Sequence, residues 1–115
     1  MTCVREVVTS GGIVTQALCD YVNEHWNARL HSFYSLSEIA GSHPRCAATG
    51  MYHFDLYAVP EFLHPRTFQP VEDGEEGVLV LTSLLPFQRA QPMIRYWTGD
   101  VFTKITGPCV CGFDG

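Results

Sequence analysis

Basic side chains are scarce in this 115-residue chain: seven Lys and Arg stand against twelve Asp and Glu, and Lys104 is its only lysine. The net charge of −5 leaves little material for a basic nucleic-acid face or a polybasic membrane patch. No apolar run approaches the ~20 residues that span a bilayer. The opening MTCVREVVTSGG lacks the basic-then-apolar order of a secretory signal. A cytoplasmic protein without nucleic-acid or membrane partners is expected. An even cysteine count is also missing. Five cysteines fit a disulfide framework badly, so free thiols or metal ligands are expected. Internal repeats and low-complexity segments are absent too.

What is there suits one globular core: 46% of residues are apolar and 17% charged. Val4 to Thr9 is β-branched and reads as a short buried strand, followed by the turn Ser10-Gly11-Gly12. Thr15 is placed to cap a helix that carries Leu18, Tyr21, Val22 and Trp26 on one face and ends near Asn27 and Ala28. Leu30 to Tyr34 reads as a second strand. Strand, glycine turn, helix, strand is the βαβ pattern, which implies a parallel pair. The segment SLSEIAGSHPRCAATG that follows is polar and loop-like.

From Met51 the chain turns into strands separated by Gly and Pro, as in an antiparallel sheet or partial barrel. Met51 to Val59 is aromatic and β-rich, Glu72 to Gly77 is a solvated acidic turn, and Gly77 to Leu85 is a strong strand. Met93 to Tyr96 and Val101 to Ile105 read as two more, joined by a tight Thr98-Gly99-Asp100 turn that presents Asp100 at a strand end. The expected fold class is α/β (α+β). Residues 1–42 would close an α/β nucleotide-binding subdomain, and residues 43–115 would form a β-rich subdomain. Both chain ends read as cut from something longer.

Three groups of residues offer chemistry. Ser10-Gly11-Gly12 lies between strand and helix, where backbone N–H groups can cradle a nucleotide, or it is an ordinary turn. Tyr34-Ser35-Leu36-Ser37-Glu38 leaves a strand end. It offers a ring for a base, a hydroxyl for a phosphoryl oxygen and a hard carboxylate for magnesium; equally, Ser35 and Glu38 make a helix capping box. Cys46, His53, Cys109 and Cys111 are four soft ligands arriving as two pairs, as zinc prefers; buried thiols are the competing reading. Cys3 and Cys19 read as packing residues. His31, His43 and His64 read as surface or loop residues, and Trp97 as pointing outward.

Taken in order, Ser-Gly-Gly, Tyr-x-x-Ser-Glu, a Gly/Glu turn before Val-Leu-Val-Leu-Thr, and Ile-Arg-Tyr-x-Thr-Gly-Asp resemble the adenylate-forming ligases. The resemblance is greatest to the phenylacetate-CoA ligase-like branch, which also carries Cys-x-Cys-Gly. It covers nearly the whole chain. It implies an ATP-dependent carboxylate–CoA ligase, which attacks the α-phosphate of ATP with a carboxylate and passes the acyl group to a thiol. By that resemblance Gly11 and Gly12 line the adenine pocket, Tyr34 packs against adenine, and Asp100 holds the ribose hydroxyls. Ser37 contacts the AMP phosphate and Glu38 binds magnesium, the two catalytic positions. Cys46, His53, Cys109 and Cys111 hold a structural zinc, and CoA is the co-substrate.

The chain departs from the family at Ser35, where a Gly is usual, and at Phe113, where an Arg is usual. It carries neither the family's phosphate loop nor its lysine-bearing C-terminal domain. It is therefore expected to bind nucleotide weakly and not to complete adenylation alone. A zinc-stabilised binding module, docking on a partner chain or on itself, and a truncated inactive remnant are the rival expectations.

Overall fold

Residues 3–54 and 57–113 are described in a computed structural model. The elements run β1 (Glu6–Ser10), α1 (Gln16–Trp26), β2 (Arg29–Leu36), β3 (Ile39–Pro44), β4 (Ala58–Leu63), β5 (Glu76–Ser83) and β6 (Tyr96–Thr103). Among the described residues they make two three-stranded sheets, β1-β2-β3 and β4-β5-β6, with no closed barrel. The fold is α+β, with the βαβ unit first and the antiparallel sheet second.

The local signals of α1 act as their chemistry dictates. The Thr15 hydroxyl accepts the Leu18 N–H at 3.3 Å, and Asn27 ends the helix in the left-handed region at φ 50°. Of the apolar face only Val22 is buried; Leu18, Tyr21 and Trp26 are exposed. β1 pairs parallel with β2, Glu6 opposite Arg29 through Ser10 opposite Phe33. β1 is nevertheless not the buried strand its composition suggests, since Val8 lies 68% exposed.

The polar segment after Tyr34 is a strand rather than a loop. β2 continues to Leu36, turns at Ser37 and Glu38, and returns as β3 antiparallel to it, with Leu36 opposite Ile39 and Tyr34 opposite His43. The capping-box reading of Ser35 and Glu38 therefore fails, because a two-residue hairpin turn stands where a helix would start. The period-2 alternation puts Ile39, Gly41 and His43 on one face of β3. Ile39 and His43 are buried there, so His43 is an interior residue, packed 4.6 Å from the Phe54 ring. Gly41 has φ +99°, and a Cβ on it would fall 2.2 Å from the Tyr57 ring, so only glycine fits. Cys3 is exposed rather than packed.

β5 is the central strand of the second sheet, with Gly77 to Leu81 buried without interruption. Leu79 and Leu81 meet Ala58 from β4 and Ile39 from β3 in a core that Tyr34, Leu36, Tyr96 and Phe102 also touch. The two sheets thus share apolar packing.

The two strands expected around Thr98-Gly99-Asp100 are one. β6 runs from Tyr96 to Thr103, and its register against β5 shifts between Trp97 opposite Val80 and Val101 opposite Val78. Three residues, Thr98 to Asp100, therefore face the single residue Leu79. They form a bulge inside the strand instead of a turn at its end. Gly99 supplies the positive φ of 83° that the bulge needs. Trp97 lies half outward against Phe68, as expected.

Candidate functional site

The parallel pairing fixes where the first residues gather. Ser10 ends β1 opposite Phe33, so Gly11 and Gly12 leave the sheet beside Tyr34, at the carboxyl ends of both strands. Both glycines are exposed, and nothing lies within 4 Å of where their Cβ atoms would be. Directly after Leu36, the last residue of β2, the exposed turn presents Ser37 and Glu38 at the same edge. Such an edge, outside the carboxyl ends of parallel strands, is where open α/β sheets take ligands.

Asp100 reaches this edge from the second sheet. The Tyr34 hydroxyl donates to its Oδ2 at 2.6 Å, across 66 residues of sequence. The bulge aims it: Thr98 Oγ1 donates to the Leu79 carbonyl at 2.8 Å and accepts the Asp100 N–H at 3.1 Å. The Tyr34 ring is half-buried, edge-on to Phe102 at 5.2 Å and to Phe54 at 5.6 Å. Burial first, and then the hydrogen bond to Asp100, push its phenol well above the usual tyrosine range. The phenol is therefore a standing donor to Asp100. A carboxylate has about four lone-pair sites, so one such bond leaves Asp100 acceptor capacity for hydroxyl groups.

Tyr96 belongs to the same cluster and was missed in the sequence. Its phenol is also raised, by burial first, then by the charge and hydrogen bonding of Glu38 and the charge of Asp100. Tyr96 thus lies where the carboxylates of both Glu38 in the β2–β3 turn and Asp100 in the bulge act on it. Its presence in the same Tyr-x-Thr-Gly-Asp run was the available signal.

The second site lies where two loops meet. Cys46 follows β3 in a closed turn: its N–H donates to Met51 O at 2.7 Å, and Gly50 N–H donates to Cys46 O at 2.8 Å. The returning chain carries His53, whose N–H donates to Pro44 O at 3.0 Å. Far along the chain, Cys109 N–H donates to Phe113 O and Gly112 N–H to Cys109 O, a second tight turn that presents Cys109 and Cys111.

The ligand atoms of Cys46, His53, Cys109 and Cys111 all lie within 4.8 Å of one another. Cys46 Sγ and Cys109 Sγ are 3.8 Å apart, and Cys111 Sγ lies 3.3 Å from His53 Nε2. A tetrahedron with Zn–S bonds near 2.3 Å has sulfur–sulfur edges of about 3.8 Å, so the donor set fits a zinc ion in both chemistry and size.

The thiols of the cluster shift in opposite directions. Hydrogen bonds from Thr49, and a further one from His53, lower Cys46 to about 5. Cys111 moves the other way: the Phe113 backbone lowers it, but Cys109, burial and Cys46 together raise it. Neighbouring thiolates resist joint ionisation unless a cation sits among them. Thr49, whose Oγ1 also lies 3.9 Å from Cys109 Sγ, and Phe113, 4.2 Å from the His53 ring, complete the surroundings. Phe113, a departure from the family pattern, serves here as a wall for the histidine.

No family model matches the chain. Among curated proteins, phenylacetate-coenzyme A ligase of Thermus thermophilus is 34% identical over 102 residues, 85% of this chain and 22% of that protein. The Escherichia coli phenylacetate-coenzyme A ligase is 31% identical over 97 residues, 81% and 22% of the two chains. That of Aromatoleum evansii is 37% identical over 79 residues, 65% and 17%. The α+β segment is therefore homologous to part of these ligases. The chain is phenylacetate-coenzyme A ligase-like, and it spans about a fifth of the length of the curated relatives it matches.

Proposed function

We infer that this chain forms part of the AMP pocket of an ATP-dependent carboxylate–CoA ligase and carries a structural zinc. The contact of Tyr34 with Asp100 carries the reading, because it brings the two sheets' candidate ligand residues to one edge. In this reading Asp100 accepts the ribose hydroxyls with the capacity that Tyr34 leaves, and Gly11 and Gly12 let adenine approach the backbone. Tyr34 flanks the base. Ser37 donates to the phosphate.

Glu38 is the magnesium ligand. Magnesium takes one or two carboxylates and completes its shell with water and substrate phosphates, so a single exposed carboxylate at the phosphate end suits it. The ion would supply charge neutralisation at the α-phosphate. The residues of the chain orient the nucleotide for a small carboxylic acid, and CoA would accept the acyl group in the complete ligase. In the zinc site Cys46, His53, Cys109 and Cys111 are all four protein ligands, which makes the site structural instead of catalytic.

Calorimetry with AMP and magnesium tests the nucleotide reading. Weak binding is expected, weakened a further ~tenfold or more in D100N, since hydrogen bonds to a charged acceptor carry that much. No detectable heat at millimolar AMP would sink it and leave a zinc-stabilised binding module as the better description.

A further inference from the structure

The Ser37–Glu38 turn is exposed, so side-chain packing does not hold it. Its backbone is held by one residue from the other sheet's long connection. Gln88 lies between β5 and β6, in a turn where the N–H groups of Phe87 and Gln88 both donate to Leu84 O. Its side-chain amide spans to the hairpin: Oε1 accepts the Ala40 N–H at 2.9 Å, and Nε2 donates to Glu38 O at 2.8 Å. Nε2 also donates to Gln91 O at 2.7 Å, which ties the amide back to its own loop. The partners fix the orientation of the amide, because an N–H can only donate and a carbonyl can only accept.

Glu38 O and Ala40 N–H are the two groups that an edge strand offers to a neighbour on the side away from β2. Gln88 satisfies both, acting as a one-residue substitute for a paired strand. The next residue is pinned as well. Tyr57 closes over Gly41, and Phe87 packs edge-on to Tyr57 at 5.1 Å.

We propose that Gln88 is a positioning residue for the nucleotide site: its amide fixes the backbone of the Ser37–Glu38 turn and so sets where the Glu38 carboxylate and Ser37 hydroxyl meet a phosphate. The proposal rests on the AMP reading of this edge. It concerns the phosphate end alone, since Asp100 is held independently by Tyr34 and Thr98.

The test uses the chain with Q88A and Q88E, and reads two things. Backbone amide exchange reports the Ala40 N–H, with Val80 and Leu81 of β5 as internal controls. Titration with AMP plus magnesium, and separately with adenosine, reports the two ends of the site. In Q88A the protection of Ala40 falls ~threefold to tenfold, the range expected for loss of one neutral hydrogen bond, while the β5 amides keep theirs. AMP affinity falls with it and adenosine affinity does not. Q88E restores Ala40 protection at low pH, where the protonated acid offers an acceptor to the Ala40 N–H and a donor to one of the two carbonyls that the amide reaches. It loses that protection as pH rises, because a carboxylate then faces the carbonyls of Glu38 and Gln91.

Unchanged Ala40 protection in Q88A, or an equal fall for AMP, adenosine and the β5 amides, would overturn the proposal. If the unsubstituted chain bound neither AMP nor adenosine, the AMP reading would fall and the nucleotide role of Gln88 with it. The exchange data would still show, separately, whether the amide holds the turn.

Discussion

At the scale of single residues, the Tyr34 phenol is the group whose state is most constrained. It is half-buried among rings and donates to a carboxylate, so burial and Asp100 both oppose its ionisation. The ordinary tyrosine value is 10.0, and the folded value lies above it. Between the two, the unfolded chain loses this proton and the folded chain keeps it. The unfolded state then binds fewer protons, so stability falls as pH rises above 10. Ultraviolet titration of the phenols should show Tyr34 and Tyr96 ionising later than the others, with Tyr34 the last. Y34F should remove the last phase, leave the earlier Tyr96 phase and flatten the alkaline loss of stability, whereas a last phase unchanged in Y34F would assign the effect elsewhere. D100N should bring the phase earlier without abolishing it, because burial is the larger cause.

At the scale of elements, the bulge in β6 decides what the Thr-Gly-Asp run does. A regular strand would place Asp100 in the ladder; three residues opposite Leu79 turn it out toward Tyr34 instead. Thr98 makes the bulge affordable by donating to the Leu79 carbonyl, whose residue is fully buried. T98V keeps the shape and removes the donor. It should destabilise the chain by ~1–3 kcal/mol, the range for stranding one buried acceptor. Denaturant unfolding measures this, and a change below ~0.5 kcal/mol would mean that water replaces the hydroxyl.

The bulge was hidden in the sequence because Gly99 signals a positive φ equally well in a turn or inside a strand. β3 was hidden for a related reason. SLSEIAGSHPRC is polar, but its alternate residues Ile39, Gly41 and His43 face a core made by distant strands, and local composition cannot report that.

At the scale of the whole molecule, the Cys46, His53, Cys109 and Cys111 cluster joins two turns 63 residues apart at Cys46 and Cys109. A zinc ion held there would clip a long loop and remove much of the unfolded chain's freedom. Purified protein should contain about one zinc per chain. C109S should lower zinc affinity by more than about a hundredfold, since even partners outside the ligand set cost 10–100-fold. A strong chelator should lower the thermal midpoint of the unsubstituted chain and leave that of C109S unmoved. Metal-free protein with an unchanged midpoint would remove the structural role. Among the described residues, no helix is long and apolar enough to cross a membrane.

The sequence by itself determined the local pieces. The Thr15 cap, the βαβ order, the apolar run of β5, the four soft ligands and the Tyr-x-Thr-Gly-Asp motif all depend on residue chemistry at short range. They also carried the relationship to the ligases. Tertiary structure alone decided which pieces meet. It brought Asp100 to the Tyr34 phenol, put Tyr96 within reach of the charges of Glu38 and Asp100, drew Gln88 onto the hairpin turn and buried His43. The physical reason is common to all four: each is a contact between residues distant in sequence, created by two sheets closing on the core of Ile39, Ala58, Leu79 and Leu81. Periodicity and propensity describe one segment at a time and hold no term for that closure.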